Sequence, residues 1–294
     1  MNINKQKILE AGKIASQVRE EARNFIKKDM PLLEIADKIE SRIFELGAKP
    51  AFPTCLSIDN EAAHCTPSHD DKALAHGLLK VDMGAHIGGW IADTAFSIDL
   101  ENLEENKKII HASELALENA IKTIKNNVDV SEIGKEIHKA IDSFNLIPIV
   151  NLSGHSIEQN NLHAGVSIPN FDNKSKTKIN PGLYAIEPFS TNGNGRVRDG
   201  KPSGVYLLID DKNVRNPIAR EVLEFIKKEY NTNPFCARWI VKNLGSRALL
   251  GLKQLEENGN LHSYAQLIET GNGKVAQTEH TILVEENSVL VTTK

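Results

Sequence analysis

Apolar residues recur at helical spacing from the start of the chain. Ile8, Leu9, Ile14, Val18, Ala22 and Phe25 define one face of a first helix. Pro31 suits a first helical position and Gly47 a helix end. Between them Leu32, Ile35, Ile39, Ile43 and Leu46 mark a second core-facing stripe. Two more helices are expected over about 107–125 and 131–144, with Asn or Ser near their starts as caps.

The two helix pairs read as a repeat. Sliding the chain from 34 to 132 places Glu34, Ile35, Ile39, Ile43 and Pro50 on Glu132, Ile133, Ile137, Ile141 and Pro148. Shared amphipathicity accounts for the isoleucines. It does not account for the two prolines, each of which closes its helix pair at the same offset. GLLKVD (77–82) likewise matches GLYAIE (182–187), each an apolar, strand-like run ending on a carboxylate. This pattern predicts an α+β protein of two pseudo-symmetric α/β halves, each with two helices followed by antiparallel strands. Residues 196–262 break the symmetry. They read mostly as helix, over 218–230, 234–243 and 246–257, and strand pattern resumes near Val275. The expectation is a catalytic body made of 1–195 and 263–294, with an inserted helical subdomain at 196–262.

The run LLKVDMGAHIGGWIADTAFSIDL has two apolar arms around Gly88 and Gly89, the mark of a hairpin. Symmetric pairing about residues 87 and 88 places Asp82 opposite Asp93. Facing carboxylates in apolar strands repel and resist burial unless a cation lies between them. By the repeat, Asp82 corresponds to Glu187, and the strand VAQTEHTILV supplies Glu279 as the counterpart of Asp93. Four inward carboxylates balance two divalent cations, and one would leave net charge in a dry site. In NLSGHSIEQNNLHAG, His155 and His163 are candidates for a neutral ligand.

Composition narrows the classes. The chain of 294 residues is 40% hydrophobic and 25% charged, with a formal net charge of -4. Those values suit a globular protein and argue against nucleic-acid binding. Cys55, Cys65 and Cys236 are odd in number and form no CxxC pair, so free thiols are expected rather than disulfides or structural zinc. No stretch approaches the roughly 18 apolar residues of a membrane span, and the charged N-terminal segment lacks a signal-peptide core. A cytoplasmic, monomeric protein without membrane contact is expected. GNGRV and GNGKV lack the spacing of phosphate loops and read as turns.

The motifs PAFPTCLSIDNEAAHCTP, KVDMGAHIGGWIADTAF, NLSGHSI, LHAGVSIPN, LYAIEPF and QTEHTILV resemble those of the methionine aminopeptidases, within the pita-bread metallopeptidase fold. The resemblance covers essentially the whole chain. A helical segment between Glu187 and Glu279 is similar to that of the type 2 branch, in its short form. The resemblance implies Asp82, Asp93, His155, Glu187 and Glu279 as ligands of two divalent ions, with manganese, iron, cobalt or zinc all suitable. It implies that His64 and His163 contact substrate, and that Phe52, Leu162 and Tyr264 line a methionine pocket. Glu187 would also shuttle a proton, His163 would stabilise the oxyanion, and His64 would bind near the scissile amide. Activity would remove the initiator methionine from nascent polypeptide N-termini, preferring a small second residue, with the ribosome a candidate partner.

Three features depart from the family pattern: Gly88 where aspartate is common, Trp90 where tyrosine is common, and NNVDVSEIG without Pro-Gly. None touches a ligand. The rival readings are a prolidase or other pita-bread aminopeptidase, and a non-catalytic relative that binds ribosomes or nucleic acid. The insertion is compatible with a winged-helix-like fold, but it is only mildly basic and reads as structural or as shaping the substrate cleft.

Overall fold

The computed structural model describes residues 3–294. The first half begins with α1 (Lys5–Phe25) and α2 (Leu32–Glu45). Asn4 caps α1 by accepting from the Lys7 amide, and Gly47, at φ 87°, turns the chain out of α2. The strands β1 (Lys49–Pro50), β2 (Cys55–Ile58), β3 (Glu61–Ala63), β4 (Leu78–Ile87) and β5 (Trp90–Asp99) follow.

The second half repeats this order with α3 (Glu104–Thr123), α4 (Val130–Asp142), β6 (Ile147–Pro148), β7 (Ser153–Ile157), β8 (Ser167–Pro169), β9 (Gly182–Ile186) and β10 (Phe189–Thr191). Pro50 and Pro148 occupy matching two-residue strands. The expected Asn or Ser caps of α3 and α4 are not used. Leu103 and Asp129 hold those positions without a side-chain cap. Asp99 instead accepts from the Leu103 amide and from Asn106 Nδ2, at 2.7 and 2.8 Å.

The segment expected to be mostly helical is framed by two long strands, β11 (Val197–Leu208) and β13 (Leu261–Glu269). Between them lie α5 (Pro217–Glu229), β12 (Phe235–Cys236), α6 (Ala237–Leu244) and α7 (Ala248–Glu257). These helices close their own core around Leu223, Ile226, Phe235, Ile240, Leu252 and Leu255. The chain ends with β14 (Val275–Gln277), β15 (Glu279–Val284) and β16 (Val289–Val291).

One nine-stranded sheet unites the halves in the order β1-β4-β5-β15-β9-β7-β8, with β2 also paired to β4, β16 to β15, and β5 beside β15 at the seam. Strand alternation divides its two faces. Leu79, Val81, Met83 and Phe96 pack under α1 and α2. Tyr184, Ile186, Ile282 and Val284 pack under α3 and α4. The other face carries Ile91, Ile157, Leu183 and Leu283, and between them the polar side chains described next. All three cysteines are buried free thiols. No helix among the described residues is long and apolar enough to cross a membrane.

Candidate metal centre

The hairpin register differs from the symmetric expectation by two residues. Gly88 and Gly89 form the turn, at φ 57° and 84°, so Ile87 pairs with Trp90. A two-residue turn with both φ positive matches the twist of the strands. Asp82 therefore faces Ala95, and Asp93 faces Gly84. A slip of two leaves every side chain on its original face. Asp82 and Asp93 still share the helix-free side of the sheet, as diagonal rather than direct neighbours.

The register continues across the seam and places the donors in two rows. In the first, Asp82 pairs with Ala95 and Ala95 with Glu279. Glu187 follows one position beyond the last β9–β15 pair, Ile186 with His280, and so lies next to Glu279. In the second, Asp93 pairs with Gly84, Thr281 with Ala185, and Ala185 with His155. Small residues fill the gaps and leave room above the sheet. Gly84 is required at its place: an added Cβ would approach the Phe52 ring to 2.5 Å.

Hydroxyls extend the short ladder at the seam. Thr281 Oγ1 accepts from the Asp93 amide at 2.7 Å and donates to the Asp93 carbonyl at 2.8 Å. Ser97 Oγ does the same for Gln277, at 2.9 and 2.8 Å. Gln277 Nε2 then donates to Asp82 Oδ2 at 3.3 Å and to Glu187 Oε2 at 3.2 Å, one ligand candidate from each half. Sequence reasoning quoted the QTEHT motif and missed this glutamine.

The donor set fits divalent cations. Asp93, His155 and Glu279 offer ligand atoms within 4.8 Å of one another. Asp82 Oδ1, Asp93 Oδ1 and Glu279 Oε1 are buried without a hydrogen-bond partner among the described residues. Such orphaned oxygens are costly unless a cation satisfies them. Burial, with mutual repulsion between the acids, holds Asp93 and Glu279 well above the ordinary carboxylate range. Burial followed by repulsion from Asp82 does the same to Glu187, and burial lifts Asp82 to about 7. The four acids thus resist common ionisation without positive charge. His155 is pushed down to about 3, first by burial and then by His163. Its Nδ1 lies 3.4 Å from the Ser156 carbonyl, which can only accept. Nε2 is therefore the lone-pair nitrogen, 3.7 Å from Asp93 Oδ2 and 3.6 Å from Glu187 Oε1, as a ligating imidazole requires.

A cavity of about 360 Å³ covers the rows and holds every other predicted residue: Phe52, His64, Leu162, His163 and Tyr264. His64 has a left-handed backbone, φ 63°, which a non-glycine residue adopts only when its surroundings hold it there. Its Nδ1 lies 3.2 Å from the Ala265 carbonyl, so Nε2 is left as an acceptor. Burial lowers its pKa and keeps it neutral. His163 stands at the exposed side, edge-on to His155 with ring centres 4.5 Å apart. Val205, Pro234 and Leu267 complete the wall and were not anticipated.

The sequence profile of metallopeptidase family M24 matches residues 6–286. A methionine aminopeptidase of Pyrococcus abyssi (strain GE5 / Orsay) is 47% identical over 293 residues, 98% of this chain and 99% of its own length. The solved structure of a thermophilic Arx1 matches at TM-score 0.84 and 15% identity, over 98% of this chain and 90% of that one. The methionine aminopeptidase of Thermotoga maritima matches at TM-score 0.72 and 22% identity, over 100% and 99%. These two likenesses concern the fold alone. Profile, relative and donor rows agree: the chain belongs to metallopeptidase family M24.

Proposed function

We propose that the protein is a metal-dependent methionine aminopeptidase, with two divalent cations held by Asp82, Asp93, His155, Glu187 and Glu279. The observation that carries the reading is the pair of donor rows with orphaned carboxylate oxygens, lying under a cavity that holds two histidines besides His155 and an apolar wall. Near-full-length similarity to a methionine aminopeptidase supports the substrate. Divalent ions held there supply Lewis acidity, which makes water a competent nucleophile near neutral pH.

The protein's own groups do the rest. Glu187 lines the cavity and is more exposed than Glu279, placed to take the proton of the attacking water and pass it to the leaving amine. Neutral His64, with Nε2 free to accept, holds the scissile N–H. His163 donates to the oxyanion that develops on the carbonyl. Phe52, Leu162, Tyr264, Pro234 and Val205 form the apolar, adaptable surroundings that a thioether side chain needs. Residues 196–262 act as an inserted subdomain that contributes Val205 and Pro234 to this wall. The reading extends to nascent N-termini as substrates, preferentially those with a small second residue, and to a cytoplasmic location.

Metal-stripped protein, reloaded with manganese, iron or cobalt, should release methionine from Met-Ala-Ser and leave a Xaa-Pro peptide intact. Cleavage of the Xaa-Pro peptide instead would move the protein to the prolidases. Cleavage of neither peptide, with two ions bound, would overturn the catalytic reading.

A further inference from the structure

Behind the cavity wall lies a buried ion pair that the reaction does not use. Glu40 on α2 and Arg238 on α6 are 5% and 3% exposed. The guanidinium grips the carboxylate with two parallel bonds, Nη1 to Oε2 at 2.7 Å and Nη2 to Oε1 at 2.8 Å. Each Glu40 oxygen takes a second donor: the Thr54 amide on Oε1 at 3.1 Å, and Trp239 Nε1 on Oε2 at 2.7 Å. Arg238 Nε donates to the Pro67 carbonyl at 3.2 Å, and Nη1 reaches Asp37 Oδ1 at 3.1 Å. The Thr54 carbonyl is bound in turn by Thr66 Oγ1 at 2.9 Å.

The segments joined here are those that wall the cavity. Thr54 follows Phe52 and Pro53, Pro67 and Thr66 follow His64, and Arg238 follows Pro234. His64 also needs external support for its left-handed backbone. A buried ion pair is by itself weak evidence of stabilisation, because desolvation offsets the attraction. Its bidentate geometry and its contacts with three walls assign it another role.

We propose that the Glu40–Arg238 pair is a positioning device that sets the width of the methionine pocket and the placement of His64; this rests on the aminopeptidase reading above. Neither residue lines the cavity. Removing the pair lets the Phe52, His64 and Pro234 walls separate, and the pocket then discriminates less sharply by side-chain shape.

The test compares cleavage of Met-Ala-Ser and Leu-Ala-Ser by the metal-loaded full-length protein and by the double variant Glu40→Met with Arg238→Met. The variant leaves no unpaired buried charge, and apolar replacements of similar volume preserve folding in comparable sites. Bound metal should stay close to that of the unaltered protein, while Tm should fall, because the Thr54 amide and Trp239 Nε1 lose their acceptor. The ratio of kcat/KM for the two peptides should fall by about tenfold, with KM for Met-Ala-Ser rising more than kcat falls. A purely structural role would reduce both peptides' rates in proportion, and an unchanged ratio in folded, metal-loaded variant overturns the proposal. Should the double variant fail to fold, Arg238→Lys carries the test, since it keeps the charge and loses the fork. A lowered ratio supports the device and an unchanged one overturns it. Failure of the unaltered protein to cleave Met-Ala-Ser would sink the function and the positioning role together, whereas cleavage with an unchanged ratio sinks the positioning role alone.

Discussion

The two carboxylate-bearing strand pairs reach the same chemistry by different routes. In the first half, β4 and β5 are joined by two glycines, and the turn sets the register of Asp82 and Asp93. In the second half, β9 and β15 are separated by the whole inserted segment, and no local turn brings Glu187 beside Glu279. Long-range contacts do it instead: the β9–β15 ladder itself and Gln277 between Asp82 and Glu187, while the Thr281 and Ser97 hydroxyls tie β15 and the adjoining β14 to β5. A local hairpin can form early, whereas pairing across a long insertion is favourable only once the seam exists. Neither half holds a complete donor set.

Equal dependence on both halves is the strongest consequence. Asp93→Ala and Glu279→Ala should each lower kcat/KM for Met-Ala-Ser by about 10³-fold or more, since each removes a carboxylate proposed to hold the Lewis acid. Metal content measured alongside should fall in both. If either variant kept a tenth of its activity, the two pairs would not be equivalent partners.

The histidines sharpen the same comparison at lower cost. His64 comes from the first half and His163 from the loop between β7 and β8 of the second. His64→Ala and His163→Ala should each lose about 10²-fold to 10³-fold in kcat, the range for a single aligned hydrogen-bond group. Both should retain their metal, which separates them from the ligand variants.

Removing the metal exposes the acids' mutual repulsion. Their pKa values in the folded, metal-free protein lie above the ordinary ones, so folding takes up protons. That stabilisation is full below the ordinary carboxylate values of 3.8 and 4.5, and is lost as pH rises through the raised values of the folded protein, about 7 for Asp82. The Tm difference between loaded and stripped protein should therefore widen between pH 5 and pH 7.5. A gap of constant size would show that the rows carry little repulsion. In Glu187→Gln the gap should widen less.

Much of this was legible in the chain. Ile35, Ile39 and Ile43, with Ile133, Ile137 and Ile141, form the buried stripes they implied. The shared face of the donors was legible because a register slip of two preserves it. The register itself was not, since Ile87-Gly88 and Gly88-Gly89 are both plausible turn centres until the φ values are known. The strands Val197–Leu208 and Leu261–Glu269 escaped because RVRDGKPSG is polar and broken by Gly and Pro, and its partner strand lies across the inserted helices. Gln277 and Thr281 escaped for another reason. Thr281 Oγ1 bonds Asp93, and Gln277 bonds Asp82 and Glu187, all far away in sequence, and no local pattern encodes such partners.

The turn of the first hairpin gives the smallest expected effect and isolates what is local about it. Both glycines have positive φ, but their surroundings differ. A Cβ on Gly88 would meet only the flexible end of Lys7, whereas one on Gly89 would run into the Asn160 side chain. The Asn160 amide donates to the Gly89 carbonyl at 2.8 Å, and Gln159 Nε2 to the Gly88 carbonyl at 2.7 Å. The turn thus moors the segment that leads to Leu162 and His163. Asparagine tolerates the left-handed region better than most side chains, so Gly88→Asn should change stability by less than about 0.5 kcal/mol. Gly89→Ala adds backbone strain to a displaced Asn160 and should cost about 1–2 kcal/mol in urea unfolding. It should also lower kcat modestly through His163. If Gly89→Ala cost no more than Gly88→Asn, the first hairpin would owe its register to the seam as much as the second pair does.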